Sequence, residues 1–406
     1  MHSESKPLAV ALALVAAGFL LAAPSWAATF FVDSLLDSGP ETLRQAILDA
    51  NGSPGADTIL FGAGLSGTIL LSEPLPPVLE SVSIIGPAAL VLVINAQENG
   101  RHLEFRGPDE SVYSMQGLSL RGGLTSNGGG GAIQIVRGEL TLESMAFFEN
   151  STAGAVGGAV FGSPDTRIFV RRSTFTLNSA ASGGAIGGAQ VFIDQSTLYD
   201  NTAQRGGGVY ATEVLRIQES TLSGNSASSD GGGAYSLGEL IMYQSTVTDN
   251  VGGNSGGLFQ LGPVTAVGGV IIAGNRLTGG AESNCSGDLG IEGSLNLSGD
   301  ASCGFTGAGD LENTDPMLAP LAAAGGQTLT HVPLLGSPVI NASAPGLCID
   351  VDQRDFPRPQ DGLGTGTPTC DIGAVEFTPG IDDVIFGDGF ESGTIGRWSE
   401  VIGLIE

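Results

Sequence analysis

Residues 191–208 read VFIDQSTLYDNTAQRGGG, and residues 215–233 read LRIQESTLSGNSASSDGGG. Aligned with each other, both stretches have apolar residues at alternate positions, then Ser-Thr, an asparagine and a run of glycines. Alternation with a period of two is typical of β-strands that bury one face, and asparagine and glycine are typical of tight bends. Each stretch therefore predicts short strands separated by turns.

Further copies of this unit are marked by an apolar residue followed three positions later by asparagine. The asparagines lie 28, 23, 24, 25 and 25 residues apart, with a weaker copy ending at Asn275, and Gly-Gly follows each of the first five. A period near 24 residues fits one coil of a parallel β-helix. A leucine-rich repeat shares this period, but its Leu-x-x-Leu-x-Leu framework is missing. The repeated asparagines are Asn150, Asn178, Asn201, Asn225 and Asn250.

Stacked coils make equivalent residues vertical neighbours about 4.8 Å apart, which predicts a structural column of asparagine amides bonded to one another. The same register predicts two more columns in which like charges are never adjacent, as strand pairing requires. One column contains Glu143, Arg171, Asp194, Gln218 and Tyr243, and the other contains Ser144, Arg172, Gln195, Glu219 and Gln244.

The residues before 130 predict less regular coils, because short β-rich runs are broken by Gly or Pro. Ahead of them, Ser38-Gly-Pro-Glu41 has the pattern of a capping box, followed by a short helix that ends at Asn51-Gly52 and covers the first coil. The predicted fold class is all-β, a right-handed parallel β-helix with an N-terminal capping helix and an irregular, disulfide-bonded C-terminal cap. One face of the helix is marked by Leu43, Ala46, Ile47 and Ala50.

The first 27 residues have the features of a secretory signal peptide. Lys6 precedes an apolar run from Leu8 to Ala23, and Ser25-Trp-Ala27 places small residues at a cleavage site before Ala28. A membrane anchor is the alternative, but the run is shorter than the ~20 residues that span a bilayer. We therefore expect an exported protein, extracellular or associated with the cell surface or outer membrane, whose mature chain has no transmembrane segment.

The net charge of −27 and the cysteines limit the function classes further. Lys6 is the only lysine, and such an acidic surface repels nucleic acid, so nucleic-acid binding is excluded. Export makes disulfides expected, and four cysteines allow three pairings. The favoured pairing joins nearest neighbours, Cys285 with Cys303 and Cys348 with Cys370, because each closes a short Gly- and Asp-rich segment.

Several stretches resemble bacterial families. Gly183-Gly-Ala-Ile186 and the Phe-x-x-Asn signatures resemble polymorphic outer membrane protein repeats, and Asp37–Asn51 resembles the start of exported right-handed β-helix proteins. The C-terminal part is similar to the choice-of-anchor Q domain, which implies an exported protein, although no apolar spanning run follows Glu376. That similarity is carried by Asn284-Cys285, Ser294–Leu297, Cys303–Phe305, Asn313–Pro316, Gly325–Thr328, Gly336–Pro338, Asp352–Arg354, Pro357–Pro359 and Cys370–Glu376.

These observations divide the chain into four parts. We expect a signal peptide (1–27), a β-helix with its N-terminal cap (28–284), a choice-of-anchor Q-like region (285–377) and a tail (378–406). Because no acid–base set is evident, the main interpretation is a structural or adhesive protein that binds extracellular glycans or cell-surface components through variable loops between each asparagine and the next Gly-Gly.

The alternative is a polysaccharide lyase or glycoside hydrolase of the β-helix type. Such an enzyme needs several close carboxylates or an acid–calcium–arginine set. The candidate residues in adjacent coils are Asp194, Asp200, Arg205, Arg216 and Glu219. No cofactor is required by this interpretation. Calcium is a possible ligand of Asp350, Asp352 and Asp355, although salt bridges to Arg354 and Arg358 explain these acids equally well.

Overall fold

A computed structural model describes residues 27–287, 289, 295–307 and 309–382. The expected signal peptide, except for Ala27, and the expected tail beyond Asp382 lie outside the described residues. The described part is a right-handed parallel β-helix of about 11 turns, which confirms the predicted fold class. None of its helices is long and apolar enough to cross a membrane.

Short strands make up most of the described chain. In chain order the elements are β1 (Thr29–Val32), α1 (Leu43–Asn51), β2 (Asp57–Phe61), β3 (Gly67–Leu70), β4 (Val82–Ile85), β5 (Leu92–Asn95), β6 (Leu103–Phe105), β7 (Val112–Gln116), β8 (Ser119–Arg121), β9 (Leu124–Thr125), β10 (Ile133–Ile135), β11 (Glu139–Glu143), β12 (Ala146–Phe148), β13 (Ser151–Thr152), β14 (Val160–Gly162), β15 (Arg167–Arg171), β16 (Thr174–Thr176), β17 (Ile186–Asp194), β18 (Thr197–Tyr199), β19 (Thr202–Arg205), β20 (Val209–Gln218), β21 (Thr221–Ser223), β22 (Ser226–Asp230), β23 (Ala234–Ser236), β24 (Glu239–Tyr243), β25 (Thr246–Thr248), β26 (Val251–Gly252), β27 (Leu258–Gln260), β28 (Val264–Gly268), β29 (Ile271–Ala273), β30 (Arg276–Leu277), β31 (Cys285–Ser286), β32 (Leu297–Ser298) and a 3-10 turn, η1 (Pro345–Leu347).

The strands stack into three parallel faces. Sheet A follows the order β1-β2-β4-β7-β11-β15-β17-β20-β23-β27-β31, with β6, β10, β14, β24 and β28 alongside it. Sheet B follows the order β3-β5-β8-β12-β16-β18-β21-β25-β29-β32. The third face, sheet C, contains β19-β22-β26-β30 and the pair β9–β13. Successive strands within a sheet are about one coil apart in sequence, so the order of each sheet follows the chain.

Each coil turns its corners at residues in the left-handed backbone region. In the coil that contains β17, these are Gln195 (φ 45°) between sheets A and B, Asp200 (φ 53°) between B and C, and Gly206 (φ 60°) before the next strand of sheet A. A non-glycine residue in this region costs about 1–2 kcal/mol. The corner between sheets A and B nevertheless repeats it at Ser144, Arg172, Gln195, Glu219 and Gln244, so one of the two predicted polar columns is a column of corner residues.

The register predicted from the sequence is present in sheet A. Glu143 pairs with Arg171, Arg171 with Asp194, and Asp194 with Gln218. Arg171 Nε also lies 3.3 Å from a carboxylate oxygen of Asp194, so the expected alternation of charge produces an ion pair. Alternate residues of the same strands point inward, where Ile168, Val191 and Leu215 are fully buried in one continuous core with the other coils.

Two local expectations were wrong. The segments between each asparagine and the next Gly-Gly, expected to be variable loops, include the short strands of sheet C, because their backbones hydrogen-bond to the next coil. Helix α1 buries the expected face, but its N-cap is Thr42, whose hydroxyl accepts from Gln45 N at 3.3 Å. Residues 38–41 precede the helix as a turn, since Glu41 has a φ of 59°.

The disulfides join Cys285 to Cys303 and Cys348 to Cys370, which confirms the favoured pairing. Residues 313–382, here called the C-terminal segment, run back along the outer face of sheet B. Thr197 Oγ1 donates to Leu329 O at 2.6 Å, and Ala374 N donates to Thr246 Oγ1 at 3.2 Å. The segment therefore covers one side of the β-helix.

Candidate functional site: a groove on sheet A

The outer face of sheet A presents straight columns of side chains, because alternate residues of every strand point away from the core. A groove of about 400 Å³ lies over β11, β15, β17 and β20. We call it the sheet A groove. It is lined by Thr141, Glu143, Phe169, Val170, Arg171, Phe192, Ile193, Asp194, Arg216 and Gln218. The groove crosses four successive coils along the helix axis, an arrangement that suits an extended ligand.

Two aromatic rings form the floor of the sheet A groove. Phe169 and Phe192 pair in register, and their ring centroids lie 4.8 Å apart with an interplanar angle of 15°. The next residue beyond Phe169 in this column is Thr141, whose short side chain is too small to cover a ring. The stack therefore presents its ring edges and its Phe169 end to the groove, an apolar surface among charged groups.

Charged and amide side chains line the wall beside these rings. Asp194 is half-buried, and burial raises the pKa of its carboxyl while Arg171, Arg172 and Arg216 oppose the shift. On the far side of Arg171, Glu143 accepts from Arg172 Nη1 at 3.0 Å. The groove thus combines two carboxylates and two guanidinium groups with an apolar floor, and these groups can hydrogen-bond hydroxyl-rich molecules.

The enzyme candidates lie on different faces of the β-helix. Asp194 and Arg216 come together in the sheet A groove. Asp200 is exposed at the corner between sheets B and C, and Arg205 lies at the end of β19 in sheet C, 3.9 Å from Asp230. The structure therefore unites only this first pair of candidates, and the other residues do not converge with it.

The remaining enzyme candidate, Glu219, is buried under the C-terminal segment. Its side chain is 1% exposed, and Arg358 Nη2 donates to Glu219 Oε2 at 3.2 Å. Burial raises the pKa of Glu219 well above its ordinary value, and the Arg358 charge opposes the shift. Arg358 also donates to the backbone oxygens of Asp371 and Gly373, so this carboxylate takes part in docking the C-terminal segment.

The repeat asparagines form a continuous buried column. From Asn150 to Asn178 the amide–amide distance between Nδ2 and Oδ1 is 3.0 Å, and each later step is 2.9 Å. The column extends past Asn250 to Asn275 and Asn284. Each amide also bonds to backbone, and all of them are at most 1% exposed. These contacts leave no side-chain group of the column free for a ligand.

The calcium candidates do not share one site. Asp352 is fully buried, with one carboxylate oxygen 2.9 Å from Arg354, whereas Asp355 bonds to Arg172 at the surface. Asp350 is exposed. Within the described ranges, no group of three or more His, Cys, Asp or Glu side chains is placed to hold a metal ion. Two of the three candidate carboxylates thus have arginine partners. Arg354 was expected as a partner from the sequence, and Arg172 was not.

Sequence reasoning missed the two phenylalanines of the groove. Its period-two pattern named Ile168 and Val170, then Val191 and Ile193, as inward residues. The residue between each pair must point outward, so the pattern contained the signal for an aromatic pair on the outer face. Arg358 had no comparable signal, because its partner Glu219 is 139 residues away in the chain.

The comparisons with known proteins add no assignment: no family model matches the chain, and no curated protein or solved structure does. The resemblances to outer membrane protein repeats and to the choice-of-anchor Q domain are therefore sequence interpretations without further support.

Proposed function

We propose that this chain is an exported, surface-associated protein that binds extracellular glycans along the sheet A groove. The observation that best supports glycan binding is the stacked pair Phe169 and Phe192. Arginine, carboxylate and amide side chains border this pair on the outer face of sheet A. The apolar C–H face of a sugar ring packs on aromatic surface, and its hydroxyls pair with the polar groups alongside. An open groove on a rigid scaffold suits binding along a polymer.

Export is supported by the two disulfides, which form and persist in oxidising compartments. The signal-like features of residues 1–27 and the resemblance of the C-terminal part to a family of exported proteins point the same way. Surface association rests on that resemblance alone. Localisation can be tested directly by fractionating cells that make the full chain and comparing a variant whose apolar leader is interrupted by charge.

The charges favour a glycan without carboxylates. Within the groove, Glu143 and Asp194 balance Arg171 and Arg216, while the whole chain carries a net charge of −27. A polyuronate approaching this surface meets long-range repulsion without a local basic patch to offset it. We therefore expect neutral polysaccharides to bind more tightly than acidic ones, and the difference to shrink as salt screens the charges.

The test is glycan-array screening followed by calorimetry with the best neutral ligand. We expect Phe169→Ala and Phe192→Ala each to weaken binding about tenfold, corresponding to about 1.4 kcal/mol. Tyr210→Ala is the matched control, because Tyr210 also belongs to a stacked outer pair of sheet A but lies outside the groove. Equal losses in all three variants, or no glycan binding by the unmodified chain, would contradict the proposal.

A glycoside hydrolase is the second candidate, and one observation favours it. Glu143 and Asp194 lie two coils apart in one column, about 9.6 Å by strand spacing, close to the carboxyl separation of inverting enzymes. The raised pKa of Asp194 suits a general acid. Release of reducing sugar by the purified chain, abolished in Asp194→Asn with binding retained, would establish this candidate instead of simple binding.

A further inference from the structure

A second groove lies on sheet B, on the outer face of β12 and β16. Its volume is about 790 Å³, and we call it the sheet B groove. Its walls are the loop of residues 86–90 and the residues 327–329 of the C-terminal segment. Leu90 and Leu177, which line it, are 74% and 56% exposed. Apolar side chains with this much exposure in one groove indicate a surface that another segment covers.

The neighbouring coils show what covers this face of sheet B. Thr174 pairs with Thr197, which pairs with Thr221. The hydroxyls of Thr197 and Thr221 both bond to the C-terminal segment, at Leu329 O and Gln353 Oε1. In the two preceding coils the segment bonds to the corner residues, with Asp355 bonded to Arg172 and Gln327 to Ser144, while the buried hydroxyl of Thr176 on the strand itself has no hydrogen-bond partner among the described residues. The surface of sheet B that can bind a chain segment therefore extends beyond the part that the C-terminal segment occupies.

The described chain ends next to this groove. Asp382 Oδ1 accepts from Arg354 Nη1 at 2.7 Å, and the same nitrogen donates to Ala324 O at 3.3 Å. Ala324 is three residues before Gln327, which lines the sheet B groove and accepts from Ser144 Oγ at 2.8 Å. The described chain therefore ends within ~17 Å of the groove, since the two hydrogen bonds of Arg354 span about 6 Å and three residues span at most ~11 Å at ~3.8 Å per residue.

We propose that residues 383–406 bind in the sheet B groove of the same chain and continue the path of the C-terminal segment. This stretch is rich in apolar side chains that match the groove: Val384, Ile385, Phe386, Phe390, Ile395, Trp398, Val401, Ile402, Leu404 and Ile405. The groove reaches from Gly86 to Tyr199, about five coils or ~19 Å of sheet. Twenty-four extended residues span up to ~80 Å, so fewer than half of them are enough.

Trp398 gives a direct test in the full chain. The sequence contains two tryptophans, Trp26 and Trp398, so Trp26→Phe leaves Trp398 as the only one. In that background we expect a blue-shifted Trp398 emission that resists acrylamide quenching. Leu177→Asp should shift the emission and the quenching to the values of a free peptide of residues 383–406. Aspartate suits that position, because Asp200 and Asp249 occupy the equivalent left-handed corners.

Two further variants show whether a change in Trp398 emission is specific to the sheet B groove. Leu90→Asp perturbs the wall formed by residues 86–90 and should give the same shift as Leu177→Asp. Leu261→Asp is the matched control, because Leu261 is 62% exposed outside the groove and should leave Trp398 unchanged. The proposal is overturned if Trp398 of the unmodified groove already resembles the free peptide, or if the control shifts it equally. A signal that depends on protein concentration also overturns it, because a second chain would then fill the groove.

Discussion

The middle coils and the C-terminal segment are held by different interactions. From residue 139 to 277 each coil bonds to the next through backbone, and the same residue types recur in register, as in the asparagine column. The C-terminal segment has few strand pairings and is held by buried ion pairs, with Arg354 bonded to Asp352 and Asp382 and Arg358 bonded to Glu219. Repetition stabilises the first region, and individual long-range pairs stabilise the second.

This difference predicts which substitutions destabilise several coils together and which destabilise only the region around the substituted residue. A break in a repeated column exposes two neighbouring coils and weakens their shared core, so the coils should respond together. Loss of one buried partner in the C-terminal segment leaves an unpaired charge at a single place. The variants below separate these two behaviours, and hydrogen exchange read separately for residues 139–277 and 313–382 reports both.

The largest effect is expected from Asn201→Ala. The Asn201 amide donates to Phe175 O, Tyr199 O and Asn225 Oδ1 and accepts from Asn178, in a site with no solvent access. Each buried group left without a partner costs about 1–3 kcal/mol, so the coils should lose about 5 kcal/mol of unfolding free energy. Chemical denaturation measures this loss.

The control for that variant is Asn127→Ala, because Asn127 is exposed and lies outside the column. Its unfolding free energy should change by no more than about 0.5 kcal/mol. Equal stabilities of the Asn201 and Asn127 variants would show that the amide column does not hold the coils together.

Arg358→Ala should act on the C-terminal segment and spare the coils. It leaves the carboxylates of Glu219 and Glu376 buried without their guanidinium partner. Removing one member of a buried ion pair costs about 3–5 kcal/mol. Exchange protection should fall across residues 313–382 while the middle coils keep theirs. Arg137→Ala is the control, since its side chain is 60% exposed, and loss of protection in the coils as well would contradict the separation.

Opening the Cys348–Cys370 disulfide should have a smaller effect in the same region. Its sequence separation is 22 residues, and closing a loop of this size stabilises a fold by about 3 kcal/mol. Replacing both cysteines with serine should raise hydrogen exchange between residues 341 and 377. The matched variant lacks Cys285 and Cys303 and should perturb the last coil instead. If both pairs give the same exchange pattern, the two regions are not independent.

The smallest effect concerns pH. Burial raises the pKa of Asp371 to about 7, with the charge of Glu376 adding to the shift. Between pH 4 and 7 the folded chain holds a proton that the unfolded chain has released, so stability should fall as pH rises through this window. Protection of residues 341–377, corrected for intrinsic exchange, should therefore be higher at pH 5 than at pH 7.5.

Asp371→Asn removes this titration and should flatten the pH dependence in those residues. The lowered pKa of Asp355 acts below pH 4, outside the window, because its carboxylate bonds to Arg172 and Gln195. An increase in the protection of residues 341–377 from pH 5 to 7.5 would contradict this prediction.

The sequence predicted the coils because their interactions repeat. Asn178 and Asn201 are bonded 23 residues apart, and the same contact recurs in the coils on both sides, so a pattern search finds it. Period-two alternation likewise located the inward residues and the charge column. The nearest-neighbour disulfides were accessible for a similar reason, since each joins cysteines close in the chain.

The docking of the C-terminal segment was not predictable in the same way. Glu219 was named as an enzyme candidate from the sequence, because nothing near it in the chain shows its burial under Arg358. Thr221 and Gln353 meet across 132 residues, and no repeat in the sequence indicates this contact. The sheet A groove was predictable in part. Its charged columns followed from the register of the repeat, whereas its aromatic floor could be found only by also considering the residues that point outward between the buried ones.

The stacking of the coils in register can be measured with pairs of spin labels on one column of sheet A. Val112, Glu139 and Glu239 belong to this column, with Glu139 and Glu239 four coils apart and Val112 one coil further away. Labels at 139 and 239 should give a narrow distance near 19 Å, and labels at 112 and 239 a distance about 4.8 Å longer. Broad distributions, or two distances that do not differ by one strand spacing, would contradict the stacked β-helix.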